Sequence, residues 1–181
     1  LASNRPRRMN LPNLITLARI ALAPLFIWVL FVFQNPAAHE RWIVVFLFVL
    51  ASATDGVDGA LARKRNQVTD LGKLLDPIAD KVLIGGALIA LSSLGQIDWW
   101  ITAVILIREI GITVYRFVVI KDRVIAASGG GKLKTIMQSI AVGFYLSPLA
   151  GYWAPIGILQ LGILYFALVL TLVSGIQYLA A

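Results

Sequence analysis

Six long apolar runs leave this chain few ways to fold. They cover Leu14–Phe33, Trp42–Ala62, Pro77–Leu94, Trp99–Ile120, Leu133–Leu149 and Pro155–Leu179. Wound as helices at about 1.5 Å per residue, each crosses most or all of a hydrocarbon layer ~30 Å thick. The runs are continuous and lack the alternation of barrel strands, so helices are expected. Composition agrees: 59% of the residues are hydrophobic and 14% charged, where a soluble domain carries roughly a quarter charged. The expected fold is an all-α integral membrane protein with six transmembrane helices.

Basic residues set the expected orientation. Arg5, Arg7 and Arg8 precede the first run; Arg63, Lys64, Arg65 and Lys73 lie between the second and third; Lys121, Arg123, Lys132 and Lys134 lie between the fourth and fifth. The opposite loops hold only Arg41. Both termini and the charged loops are therefore expected on the cytoplasmic side. Trp42, Trp99, Trp100 and Trp153 would form an aromatic belt on the other side. The net charge of +7 then becomes a one-sided layer suited to anionic lipid, although the same asymmetry also serves as a plain topology signal. With no cysteine there is no disulfide or thiolate chemistry.

The first apolar run is too long for a signal-peptide core, and no small-residue cleavage site follows it. Residues 1–9 read as a tail or expression remnant with Met9 as a candidate initiator, and residues 10–181 as one six-helix domain. No internal repeat divides it. The stretch "NLPNLITLARI" reads as a short interfacial segment entering the first helix, with Pro12 near a helix start. Loops on the outer side are short, while Lys64–Asp76 and Lys121–Lys134 are longer and polar. The sixth run is wholly apolar in reading and carries no evident chemistry.

The chemistry concentrates in "TDGVDGALARKRNQVTDLGKLLDPIADKV", Thr54–Val82, which holds five of the nine acidic residues. Asp55 and Asp58 are three apart, and Asp76 and Asp80 four apart, so each pair shares a helix face. A short connection packs the two helices antiparallel and brings the pairs together. Four carboxylates converging where water is scarce repel one another, so something cationic must neutralise them. Lys81 and Arg63 supply part of that charge. Oxygen-only ligands suit hard ions such as Mg2+ or Mn2+, and two ions fit four carboxylates. Asp76 before Pro77 also reads as a simple helix cap, but a cap does not explain Asp55 and Asp58 inside an apolar helix. Gly56, Gly59, Ala60 and Ala62 clear bulk beside the acids, which serves either ligand approach or close helix packing. Arg63 is placed to reach a phosphate with its donor fork.

Written from Asp55, the pattern is D-x2-D-G-x2-A-R-x8-G-x3-D-x3-D, supplied by Asp55, Asp58, Gly59, Ala62, Arg63, Gly72, Asp76 and Asp80. It resembles, without departure, the signature of the CDP-alcohol phosphotransferases. That resemblance implies six transmembrane helices, a homodimer, a cytoplasm-facing site and transfer of a phosphatidyl-type group from a CDP-linked donor to an alcohol, with release of CMP. It further implies that Asp55, Asp58 and Asp76 hold metal, and that Asp80 is the general base and also touches the second ion. Gly59, Ala62, Arg63, Thr69 and Gly72 would contact the CDP donor. Asn13, Thr16 and Arg19 in the opening segment would line the same nucleotide site.

The acceptor alcohol is read from the remaining cations. Arg108 and Glu109 interrupt the fourth run, either as part of the site or as a polar pair; Arg116 lies about two turns on, and Lys132 and Lys134 follow three glycines read as a flexible loop. Arg108, Arg116, Lys132 and Lys134 together suit an acceptor that carries its own phosphate. The segment "REIGITVYRFVVIKDRVIAASGGGKLKT" resembles the corresponding region of bacterial phosphatidylglycerophosphate synthases. That likeness implies CDP-diacylglycerol and glycerol 3-phosphate as substrates in a bacterial cell membrane, with inositol phosphate, serine or phosphatidylglycerol as other acceptors of the same chemistry. A divalent-cation transporter would place its acids nearer mid-bilayer, and a scaffold would have no activity to lose when they change.

Overall fold

A computed structural model describes residues 11–64, 70–119 and 129–179, with side chains for 17–54, 78–115 and 133–178. Among them every regular element is a helix: α1 (Leu11–Val32), α2 (Arg41–Lys64), α3 (Asp70–Ser93), α4 (Trp99–Val119), α5 (Gly129–Leu146), the single turn α6 (Leu149–Tyr152) and α7 (Ala154–Leu179). The all-α expectation holds. One helix among the described residues, α7, is long and apolar enough by itself to cross a membrane, spanning Ala154–Tyr178 with a mean hydropathy of 2.4 in its most apolar 18-residue stretch.

Three local expectations are corrected. α3 begins at Asp70, well before the expected Pro77, so Asp76 lies within the helix and is not its cap. A proline inside a helix forfeits one hydrogen bond, but that loss does not end a helix whose remaining turns are packed. Gly129–Gly131, read as loop, open α5. α1 begins at Leu11, so the expected interfacial segment, from residue 11 on, forms the first three turns or so of the same helix.

Small residues set how closely the helices approach. α1 packs on α2 and α3, and α5 packs on α7. Ala23, Ala51, Ala87, Ala90, Ala141 and Ala167 are buried at these crossings, as expected where backbones must come close. A Cβ on Gly86 would stand 2.8 Å from Ile27 Cδ1. Phe26 and Phe48 meet edge-to-face at 5.9 Å inside the α1–α2 contact, the arrangement ring quadrupoles favour. The outside is also apolar: Ile158 is 76% and Ile107 72% exposed. Trp42, Trp99, Trp100 and Trp153 stand exposed at or beside helix starts.

One end of the bundle is pinned by Arg41, which is fully buried. Its Nη1 donates to Gln96 Oε1 at 2.9 Å and its Nη2 to the Tyr145 carbonyl at 3.3 Å. Gln96 Nε2 in turn donates to the Gln34 carbonyl at 3.4 Å. The end of α1, the start of α2, the α3–α4 turn and the end of α5 therefore lie together. That turn closes at Gly95, whose φ of +70° suits glycine. Gln96 N–H reaches the Leu91 carbonyl at 2.9 Å and Gly95 N–H the Ser92 carbonyl at 3.0 Å, the paired bonds of a glycine-ended helix. The end of α2 and the start of α3, with the aspartates, stand at the opposite end.

Candidate active site

Three helices bring charge to one cavity of about 390 Å³. α3 contributes Asp80, Lys81, Ile84, Gly85 and Leu88, spaced so that they fall along one helix face. α4 contributes Ile105, Leu106, Glu109 and Ile110, and α5 contributes Lys134, Thr135 and Gln138. Aliphatic side chains share the wall with two carboxylates and two ammonium groups.

Asp80 is half-exposed to this cavity, with Arg19 Nη1 3.9 Å from its Oδ1. Arg19 has no exposed surface, and a charge so placed is tolerable only beside compensating partners. The residue expected near the nucleotide thus stands beside the expected base. Lys134 is nearly buried and donates to Glu109 Oε1. Arg108 Nη1 donates to the same oxygen at 2.9 Å. Arg108 then turns away from the cavity: its Nη2 donates to Ser174 Oγ on α7 at 2.8 Å.

Beyond Ser174 the polar chain continues. Ser174 Oγ donates to the Thr171 carbonyl at 3.0 Å, and Gln138 Nε2 donates to Thr171 Oγ1 at 2.8 Å. Gln138 is itself in the cavity wall. The path from Lys134 through Glu109, Arg108, Ser174 and Thr171 thus returns to Gln138, tying α4, α5 and α7 around the cavity. α7, which shows no evident chemistry in the sequence, supplies two hydrogen-bonding side chains to this network. Their signal was the spacing of Thr171 and Ser174, two polar residues three apart on one face of a mostly apolar helix. Gly175 gives Arg108 room, since a Cβ there would lie 3.3 Å from Arg108 Cγ and Nε.

The expected site residues therefore divide. Asp80, Lys134 and, through Asp80, Arg19 are brought together; Arg108 stands behind Glu109, outside the cavity wall. Glu109, which the sequence left between a place in the site and a polar pair with Arg108, joins the wall, as do Lys81, Thr135 and Gln138. Asn13 and Thr16 belong to α1; Asp55, Asp58, Gly59, Ala62 and Arg63 to α2; Gly72 and Asp76 to α3; Arg116 to α4; and Lys132 to α5. The side chains of this second group lie outside the described residues, and Thr69 lies outside them altogether. Among the described residues no three His, Cys, Asp or Glu gather as metal ligands.

A family model described as CDP-alcohol phosphatidyltransferase matches residues 9–173. A "Probable phosphatidylglycerophosphate synthase" of Mycobacterium tuberculosis (strain H37Rv) is 43% identical over 178 residues, covering 98% of this chain and 84% of that protein. The Bacillus subtilis (strain 168) protein named CDP-diacylglycerol–glycerol-3-phosphate 3-phosphatidyltransferase is 41% identical over 184 residues, covering 93% of each chain. The Escherichia coli (strain K12) protein of the same name is 38% identical over 183 residues, covering 96% of this chain and 95% of that protein.

Proposed function

This chain belongs to the CDP-alcohol phosphatidyltransferase family, and from that premise we propose that it transfers the phosphatidyl group of CDP-diacylglycerol to sn-glycerol 3-phosphate, giving phosphatidylglycerophosphate and CMP. The names of the bacterial relatives support the two substrates. The observation that carries the reading is the shared cavity of Asp80 and Lys134. One supplies a base for an alcohol and the other a cation for a phosphate, as an acceptor bearing both groups requires.

In this reading Asp80 takes the proton of the acceptor's primary hydroxyl while that oxygen attacks the phosphatidyl phosphorus. The bond from phosphorus to the CMP oxygen breaks, and CMP leaves. Arg19 holds Asp80 in place from within α1. Lys134 binds the acceptor phosphate, with Arg116 and Lys132 assigned to the same anion and Arg108 acting through Glu109. Asn13, Thr16, Gly59, Ala62, Arg63, Thr69 and Gly72 are assigned to the CDP donor.

Asp55 and Asp58 on α2, with Asp76 and Asp80 on α3, are the residues that would hold divalent metal. They fit such a group: the helices touch, each pair keeps one-face spacing within an unbroken helix, and the donors are all oxygen. Mg2+ or Mn2+ bound there, as a pair of ions, would neutralise charge gathering on the pyrophosphate. We assign the chain six membrane spans, cytoplasmic termini, a cytoplasm-facing site in a bacterial cell membrane, and a homodimeric state. The apolar outer surface and the one-sided basic residues support this placement.

CMP release by purified protein, with CDP-diacylglycerol, Mg2+ and a panel of alcohols, tests the reading. Glycerol 3-phosphate is expected to be the productive acceptor. Asp80→Asn is expected to lower kcat by about 10²- to 10⁴-fold. CMP release from another alcohol alone would move the acceptor assignment, and none from folded protein would end the transferase reading.

A further inference from the structure

We infer that Glu109 reads the secondary hydroxyl of the acceptor and so selects a polyol phosphate over its ketone or deoxy counterpart. The inference rests on the transferase reading above. Asp80 and Lys134 account for the two ends of the acceptor, the attacking hydroxyl and the phosphate. The cavity holds a second carboxylate, Glu109, that neither role uses. Lys134 is bonded directly to it. A phosphate resting on Lys134 therefore sets the next carbons of the acceptor beside Glu109. In glycerol 3-phosphate the secondary hydroxyl is one carbon removed from the carbon bearing the phosphate, between the two ends already assigned.

Glu109 is built to accept a hydrogen bond at that point. Among the described residues the two cations that hydrogen-bond it, Lys134 and Arg108, use the same oxygen, Oε1, which leaves Oε2 for a ligand. An ionised carboxylate accepts and never donates, so it welcomes a hydroxyl and opposes a ketone oxygen. Arg108, anchored by Ser174, holds the carboxylate from behind, so its place does not depend on Lys134 alone. A site made to bond a hydroxyl discriminates strongly against a substrate that lacks it, because a buried polar group is then left unmatched.

The test compares kcat/KM for glycerol 3-phosphate, dihydroxyacetone phosphate and 3-hydroxypropyl phosphate, each measured by CMP release. In the wild type the first is expected to exceed the other two by about 10- to 150-fold, the range for losing a hydrogen bond to a charged group. Glu109→Gln can donate to a ketone, and its preference over dihydroxyacetone phosphate is expected to shrink to within about 3-fold. Glu109→Asp keeps the charge but withdraws it by one methylene, and is expected to narrow both ratios partway. A wild type that accepts all three compounds alike overturns the inference, as does a ratio unmoved in both Glu109 variants while activity falls evenly. Failure of the wild type to use glycerol 3-phosphate would instead remove the transferase reading, and this inference with it.

Discussion

Replacing Lys134 by Met separates stability from acceptor binding. Met keeps an unbranched side chain of similar reach and removes the charge. The Lys134 side chain is 6% exposed and lies on Glu109. Removing one partner of a buried pair costs about 3–5 kcal/mol when the survivor is left alone. Glu109 is not left alone, because Arg108 still donates to it at 2.9 Å, so roughly 1–3 kcal/mol is expected. In Glu109→Gln/Lys134→Met the Lys134–Glu109 charge pair is absent and Arg108 faces an amide oxygen in place of a carboxylate, and about 0.5–3 kcal/mol of coupling between the two positions is expected. Thermal unfolding in detergent reads both quantities. The catalytic effect is distinct: loss of a charge-assisted bond to the acceptor phosphate, about 1.5–3 kcal/mol, raises KM for glycerol 3-phosphate roughly 10- to 150-fold. KM for CDP-diacylglycerol should stay put. A folded Lys134→Met protein with an unchanged acceptor KM, or with only its donor KM raised, would refute the reasoning.

Arg41→Met should destabilise the protein by about 2–4 kcal/mol, since it strands the Gln96 side chain and the Tyr145 carbonyl; CMP-release kinetics of the surviving folded protein should keep the wild-type acceptor KM, because the pin is remote from the cavity. Gly175→Val pushes branched carbons into the Arg108 stem, already 3.3 Å from a bare Cβ, and should cost about 1–3 kcal/mol. Its unfolding midpoint should fall in the wild type and fall less in an Arg108→Ala background.

Much of the helical layout was legible because apolar length alone demands it. The expected sixth run, Pro155–Leu179, nearly coincides with α7. The misplaced boundaries share a cause: Pro77 and Gly129–Gly131 are residues whose local preference opposes a helix interior, and packing overrode it. Within the site, residue types were legible but directions were not. Arg108 and Glu109 are neighbours in sequence, yet successive helical residues point roughly 100° apart. Only Glu109 can face the cavity while its neighbour faces α7. Which of the two does so depends on where α5 and α7 stand, and no local pattern states that. The roles of Thr171 and Ser174 were hidden for the same reason, since their partners Gln138 and Arg108 sit on other helices.

The outward Ile158 and Ile107 side chains have a consequence for what holds this protein together. A soluble bundle gains most of its cohesion when oily surfaces leave water. In the membrane setting proposed above, an isoleucine exchanges one hydrocarbon neighbour for another and gains little by turning inward. Cohesion shifts to close backbone contact at alanine and glycine and to a few directed bonds across helices. In such a molecule a lone arginine or serine carries a share of the fold that a water-soluble protein spreads over a whole core.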